Sequence, residues 1–89
     1  MNNNELKDLI HKISKFRDKS SFKVIFNYFS PRIMGYIIGI GTNRDLAEEL
    51  TQETLSTVWQ KSYQFNQEKG NVSTWVFTIL RNKRIDRLR

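Results

Sequence analysis

The C-terminal segment RNKRIDRLR (81–89) combines five basic side chains with one amide and one carboxylate. Arg and Lys can neutralise phosphate oxygens, and Asn and Arg can hydrogen-bond to the edges of nucleic-acid bases. A solvated helix end is the simpler interpretation, because cationic side chains stabilise the C-terminus of a helix. Spacing alone does not separate the two, so the segment is a candidate nucleic-acid contact.

A second candidate surface lies in residues 45–60, which hold four acids and no Lys or Arg. Glu49, Gln52 and Glu53 stand at positions i, i+3 and i+4, so a helix would bring them into one patch. Carboxylates can bind a metal ion or work as an acid–base pair, but His11 is the only histidine. The default interpretation is a solvated helix face, and the sharper one is a surface on which another protein docks.

The composition gives no support for catalysis or for a cofactor. Cysteine is absent, and no glycine-rich phosphate loop, nucleophile–base pair or metal-ligand spacing occurs. The N-terminus lacks the pattern of a secretory signal, and the longest nearly apolar run (33–41) is about half the length of a membrane span. We expect a cytoplasmic, non-enzymatic protein that is not inserted in a membrane. Its net charge of +6 favours a polyanionic partner such as nucleic acid or an anionic membrane surface.

The spacing of the apolar residues predicts an all-α fold, a compact bundle of about four helices. The predicted helices cover about 4–16, 20–40, 44–63 and 74–89. Asp18 or Ser20 would cap the second helix, and Pro31 predicts that this helix is kinked or split.

Turn signals separate the later helices. The segment GTNRD (41–45) predicts a helix stop at Gly41 and a cap at Thr42 or Asn43. The polar loop NQEKGN (66–71) precedes the last helix, for which Ser73 is the predicted cap.

One side of the last helix changes character along its length. Trp75, Ile79, Asn82 and Asp86 follow one another on that side, which we call the seam. Aromatic side chains can stack on single-stranded bases, but Trp75 at helical spacing is more typical of a core position. The seam therefore predicts a helix whose first half packs into the domain and whose second half projects from it.

The run from Asp45 to Arg89 resembles region 2 of the sigma-70 family of transcription initiation factors. ELTQE (49–53) resembles the motif that binds core polymerase. FNQEKG (65–70) with STW (73–75) resembles the entry to the promoter-contacting helix, and RNKRIDRLR resembles its end. SFKVIFNYFSPRIMGYI (21–37) is similar to the preceding helix, and the short N-terminus favours the extracytoplasmic-function (ECF) group.

The resemblance implies two binding surfaces and three partners. The clamp helices of the largest subunit of core RNA polymerase would be bound by Glu49, Gln52, Glu53 and Ser56. The non-template single strand of the −10 promoter element, with one flipped base captured, would be bound by Phe65, Asn71, Ser73, Thr74, Arg81, Asn82, Lys83, Arg84, Asp86 and Arg87. An anti-sigma factor is the third implied partner, and Trp75 would be largely structural.

The resemblance also implies that residues 1–89 form a single region 2 domain, without the region 4 that reads the −35 element. The residues themselves leave a different class of protein open. That alternative is a generic helical protein-interaction module whose basic C-terminal helix is only a solvated end.

Overall fold

A computed structural model describes all of residues 1–89, and it is entirely helical apart from its turns. The helices are α1 (Asn3–Phe16), α2 (Lys19–Gly39), α3 (Arg44–Lys61) and α4 (Val72–Leu88), and a short 3₁₀ turn (Ser62–Gln64) follows α3. The predicted all-α bundle of four helices is confirmed. None of these helices combines the length and apolar content needed to cross a membrane.

The first two helices begin at side chains that accept backbone N–H groups. Asn2 caps α1 in a capping box. The side chain of Asn2 accepts the backbone N–H of Glu5, and the side chain of Glu5 accepts the backbone N–H of Asn2. Asp18 caps α2, as one of the two predicted caps, and accepts from the N–H of Ser20 at 3.2 Å and the hydroxyl of Ser21 at 2.6 Å. The Ser21 hydrogen bond is the main cause that holds the pKa of Asp18 below its ordinary value.

The turn between α2 and α3 uses its three small residues differently. Gly41 has φ of 97°, in the left-handed region that favours glycine. Asn43 caps α3, because its side-chain oxygen accepts the N–H of Leu46 at 3.0 Å. Thr42 is not the cap; it is buried, and its hydroxyl accepts a hydrogen bond from Nε of Arg84 at 3.0 Å.

The start of α4 differs from the prediction. Asn71 is the cap, with its side-chain oxygen 3.0 Å from the N–H of Thr74, so the predicted cap at Ser73 is wrong. An N-cap side chain satisfies an N–H two or three residues ahead, and Asn71 stands in that register. Ser73 consequently lies inside the first turn.

Pro31 lies within α2 without ending it, because the helix is continuous from Lys19 to Gly39. The helix is therefore not split, and a kink at Pro31 stays a prediction. Proline lacks the N–H that the carbonyl of Asn27 would otherwise accept in the helical ladder. Asn27 is exposed, so water can satisfy that carbonyl.

A single apolar core joins the helices. It contains fifteen buried side chains from α1, α2, α3, α4 and the loop before α4. From α4 the core receives Val72, Val76 and Leu80, which are fully buried, whereas Trp75 and Ile79 are only partly buried against it. The apolar half of the seam thus lies at the edge of the core.

Candidate functional site

The acidic face of α3 carries the four residues predicted to bind polymerase. Glu49, Gln52, Glu53 and Ser56 are all exposed, while Leu50, Thr54 and Leu55 on the opposite side are buried in the bundle. The two carboxylates keep 58% and 47% of their side-chain surface. The structure therefore brings these four side chains together on one accessible surface.

The side chain of Arg87, which is predicted to hold a DNA phosphate, reaches across to this acidic face. Its Nη1 donates to Oε1 of Glu53 at 3.1 Å, and its Nη2 donates to Oε2 of Glu49. The hydrogen bond to Glu49 is the main cause that raises the pKa of Arg87, and the charge of Glu53 adds to it. The acidic face and the basic helix end, two separate surfaces in the sequence, are joined in the structure at Arg87.

A groove of about 280 Å³ lies between α4 and the end of α3. The seam forms its α4 wall, and the full lining is Thr57, Lys61, Gln64, Trp75, Ile79, Asn82, Lys83 and Asp86. Trp75 and Ile79 supply an apolar patch, next to amide groups, a carboxylate and two ammonium groups. An unstacked base requires an aromatic or apolar surface with polar edge partners, and its phosphate requires a nearby cation.

The residues of the opposite wall of this groove were not predicted from the sequence. Thr57, Lys61 and Gln64 come from α3 and the 3₁₀ turn, spaced i, i+4 and i+7. That spacing places them on one stripe of a helix, which was the available signal. The sequence could not show which neighbouring helix that stripe would face.

The predicted direct contact of Phe65 with DNA needs correction. Phe65 is only 6% exposed, and its ring packs against Trp75 with centroids 5.4 Å apart. Its ring therefore has no free face for a base. Phe65 instead supports the loop before α4, since a Cβ added at Gly70 would meet its ring at 2.6 Å.

The loop 66–71 is shaped from inside and tied to α1. The side chain of Asn66 accepts the N–H groups of Glu68 and Lys69, at 3.0 and 2.9 Å. Asn3 accepts the N–H of Val72 at 2.9 Å and donates to the carbonyl of Gly70 at 3.2 Å. This fixed loop leaves Asn71 and Thr74 exposed and Ser73 partly exposed.

The other cations of α4 differ in how they are held. Arg81 is exposed, Lys83 and Arg84 are partly buried, and none of the three forms an ion pair. Arg84 is fixed by its bond to the neutral hydroxyl of Thr42. Asn82 and Asp86 are exposed at the polar end of the groove. No group of three or more His, Asp or Glu side chains could hold a metal ion.

Comparisons with known proteins agree with this architecture. The family model described as Sigma-70 region 2 matches residues 25–89. The chain is 41% identical over 81 residues to the ECF RNA polymerase sigma factor RpoE of Cereibacter sphaeroides, which covers 91% of this chain and 45% of that protein. It is 26% identical over 72 residues to the ECF RNA polymerase sigma factor SigK of Mycobacterium tuberculosis, covering 81% of this chain and 38% of that protein.

A solved structure shares the fold. SigE of Rhodobacter sphaeroides, crystallised in complex with the anti-sigma ChrR, superposes with a TM-score of 0.86 at 37% identity, over 91% of this chain and 52% of that one. The chain thus spans about half the length of the relatives it matches or less. Sigma factors are transcription initiation factors rather than enzymes. On the family match and the shared fold, the chain belongs to the sigma-70 family, as region 2 of an ECF sigma factor.

Proposed function

We propose that residues 1–89 act as one domain that docks on core RNA polymerase and holds the non-template strand of an opened −10 promoter element. One observation supports this proposal: the acidic face of α3 and the groove are direct neighbours. Thr57 and Lys83 line the groove and also border the four residues of the acidic face. A strand held in the groove would lie directly beside a polymerase docked on α3. Such a domain works in transcription initiation in the cytoplasm.

The docking surface fits a basic partner. Glu49 and Glu53 present two carboxylates one helical turn apart, and Gln52 and Ser56 add neutral hydrogen-bonding groups beside them. The resemblance assigns these positions to the clamp helices of the polymerase largest subunit. Basic side chains on that helical partner would pair with the carboxylates and fix its register along α3.

The groove fits a single unstacked base with its phosphates outside. Trp75 and Ile79 can contact the base, while Asn82 can donate to and accept from its edge. Lys61 and Lys83 are close enough to the groove to pair with flanking phosphates. Extruding a base costs a few kcal/mol, and the groove offers few phosphate contacts, so the isolated domain should bind DNA weakly and with strong salt dependence.

An anti-sigma factor is part of the same proposal. The similar SigE protein was crystallised in complex with the anti-sigma ChrR. A protein of that kind would inhibit this domain by covering the acidic face of α3 and the groove, because both partners of initiation bind there.

The docking assignment is tested by titrating purified core polymerase with the domain and with Glu49→Lys/Glu53→Lys. We expect the double variant to lose at least tenfold in affinity, since it places like charges against the basic partner. The control Asp8→Lys/Glu48→Lys makes the same change in charge at exposed sites outside the four docking residues. Equal losses in the two variants would contradict the docking assignment.

A further inference from the structure

We propose that the two ion pairs of Arg87, here called the Arg87 latch, couple the two binding surfaces so that polymerase docking frees a cation for DNA. The inference rests on the proposed function, because it takes Glu49 and Glu53 as polymerase ligands. It adds that Arg87 is withheld from DNA in the free domain. The polymerase would then be required for the full DNA affinity.

In the Arg87 latch, one guanidinium occupies both carboxylates of the acidic face and is itself withheld from DNA. Arg87 lies in the last turn of α4 and bridges Glu49 and Glu53, which stand one turn apart on α3. The bond of Arg84 to Thr42 fixes the same end of α4 to the α2–α3 turn. Arg87 is therefore kept over α3 by the packing of the helix as well as by its own ion pairs.

The charges of the latch work against a second anion. One guanidinium and two carboxylates sum to a net charge of −1, so Arg87 offers an approaching phosphate no uncompensated positive charge. Arg81 and Lys83, in contrast, form no ion pair with a carboxylate. In the free domain, DNA binding should therefore depend on Arg81 and Lys83 more than on Arg87.

Docking of the polymerase would increase the contribution of Arg87 to DNA binding. Basic side chains of the polymerase that pair with Glu49 and Glu53 compete directly with Arg87 for the same carboxylate oxygens. Arg87 would then be free to pair with a phosphate. Coupling between two ligands is reciprocal, so bound DNA must strengthen polymerase docking by the same factor.

The latch is weak enough to open. Its three side chains keep between 40% and 58% of their surface, so both ion pairs are exposed to solvent. Exposed ion pairs change an equilibrium by about 1.4- to 5-fold each. We therefore expect a coupling of about two- to tenfold, which a polymerase contact can exceed.

The DNA side of the latch is tested with a fluorescein-labelled single-stranded oligo(dT), followed by anisotropy at low salt. In the wild-type chain, Arg87→Ala should weaken binding only slightly, because the guanidinium that it removes is already paired with two carboxylates. In the Glu49→Gln/Glu53→Gln background, the same substitution should weaken binding about two- to tenfold. In the control background Asp8→Asn/Glu48→Gln, which has the same net charge, Arg87→Ala should have only the small effect that it has in the wild-type chain. An equal effect of Arg87→Ala in all backgrounds would overturn the latch.

The polymerase side uses titration with purified core enzyme. Arg87→Ala should bind core polymerase about two- to tenfold more tightly than the wild type, because Glu49 and Glu53 are no longer occupied. Lys15→Ala removes the same charge at an exposed site on α1 and should not do so. If these two variants bind alike while Glu49→Lys/Glu53→Lys loses affinity, the latch fails and the docking assignment stands. If Glu49→Lys/Glu53→Lys binds like the wild type, the docking assignment fails as well.

Discussion

The side-chain oxygen of Asn3 accepts the backbone N–H of Val72 at 2.9 Å, across 69 positions of the sequence. Its amide group also donates to the carbonyl of Gly70. Asn3 thus satisfies two backbone groups around the start of α4, where the cap residue Asn71 uses its side chain for Thr74. The N-terminal turn of α1 is in this way a structural support of the loop 66–71.

We expect Asn3→Ala to destabilise the protein by about 1–2 kcal/mol, because a partly buried N–H and carbonyl lose their partner. Urea unfolding followed by circular dichroism measures this. Hydrogen exchange should also become faster at the amide of Val72. Asn4→Ala, at the exposed neighbouring position of the same turn, is the control. A similar loss of stability in both variants would show that the contact with Val72 is not the cause.

Gly70 is required by the space around it. A Cβ at this position would lie 2.6 Å from the ring of Phe65 and even closer to the carbonyl oxygen of Asn66. We expect Gly70→Ala to cost roughly 1–3 kcal/mol and to lower the melting temperature, because the loop must shift. Gly35→Ala is the matched control, since nothing lies within 4 Å of its added Cβ. It should be neutral or stabilising, because alanine favours a helix.

Thr51 and Thr54 of α3 should respond differently to replacement by valine. The hydroxyl of Thr54 is buried without a hydrogen-bond partner, whereas that of Thr51 donates to the carbonyl of Ala47 at 2.7 Å. Thr54→Val should raise the free energy of unfolding by about 1 kcal/mol, because an unpaired buried hydroxyl is removed. Thr51→Val should not be stabilising, because it gives up a bond. Denaturant unfolding compares them, and equal effects would contradict the assignment of the unpaired group.

Asp18 makes stability depend on pH at the acidic end. Its pKa is lowered in the folded state, chiefly by the hydrogen bond from Ser21, so its contribution to stability is present above the unfolded-state pKa of about 3.9. That contribution is lost as the pH falls through the lower, folded-state value. Asp18→Asn keeps a capping side chain but does not titrate there. We expect its urea midpoint to fall less than that of the wild type below about pH 4, and parallel curves would contradict this.

Asn82 is the predicted base reader of the groove. Asn82→Ala should remove selectivity at one position when polymerase-bound domain is offered a set of −10 oligonucleotides. Arg81→Ala should instead weaken binding to all sequences about equally, because a phosphate contact carries no sequence information. Competition between labelled oligonucleotides measures both effects. An unchanged preference profile for Asn82→Ala would exclude it from the pocket.

Features that depend on neighbours in sequence could be predicted from the sequence. The caps Asp18 and Asn43 were available because each precedes an apolar helical pattern, and both side chains act on the turn that follows them. The start of α4 could not be predicted in this way, because the side chains of Asn71 and Ser73 can both cap a helix. The bond from Val72 to Asn3, which supports the start at Val72, comes from the other end of the chain.

Features that depend on helix packing could not be predicted. Arg87 is 34 and 38 positions from its two partners, so only the packing of α4 on α3 shows that they meet. The stripe of Thr57 and Lys61 became one wall of a groove for the same reason. Phe65 was misjudged because an aromatic residue beside a loop can face either the core or the solvent, and its spacing does not decide which.

The hydrogen bond between Asn3 and Val72 also suggests an expected order of events during folding. α3 packs against α2, which precedes it in the sequence, as well as against α4, and its packing with α2 can form early. The loop 66–71 takes its final shape only when the first turn of α4 meets the first turn of α1, a closure of nearly the whole chain. As the chain is made from its N-terminus, α2 and α3 can therefore pack together before the loop 66–71 takes its final shape.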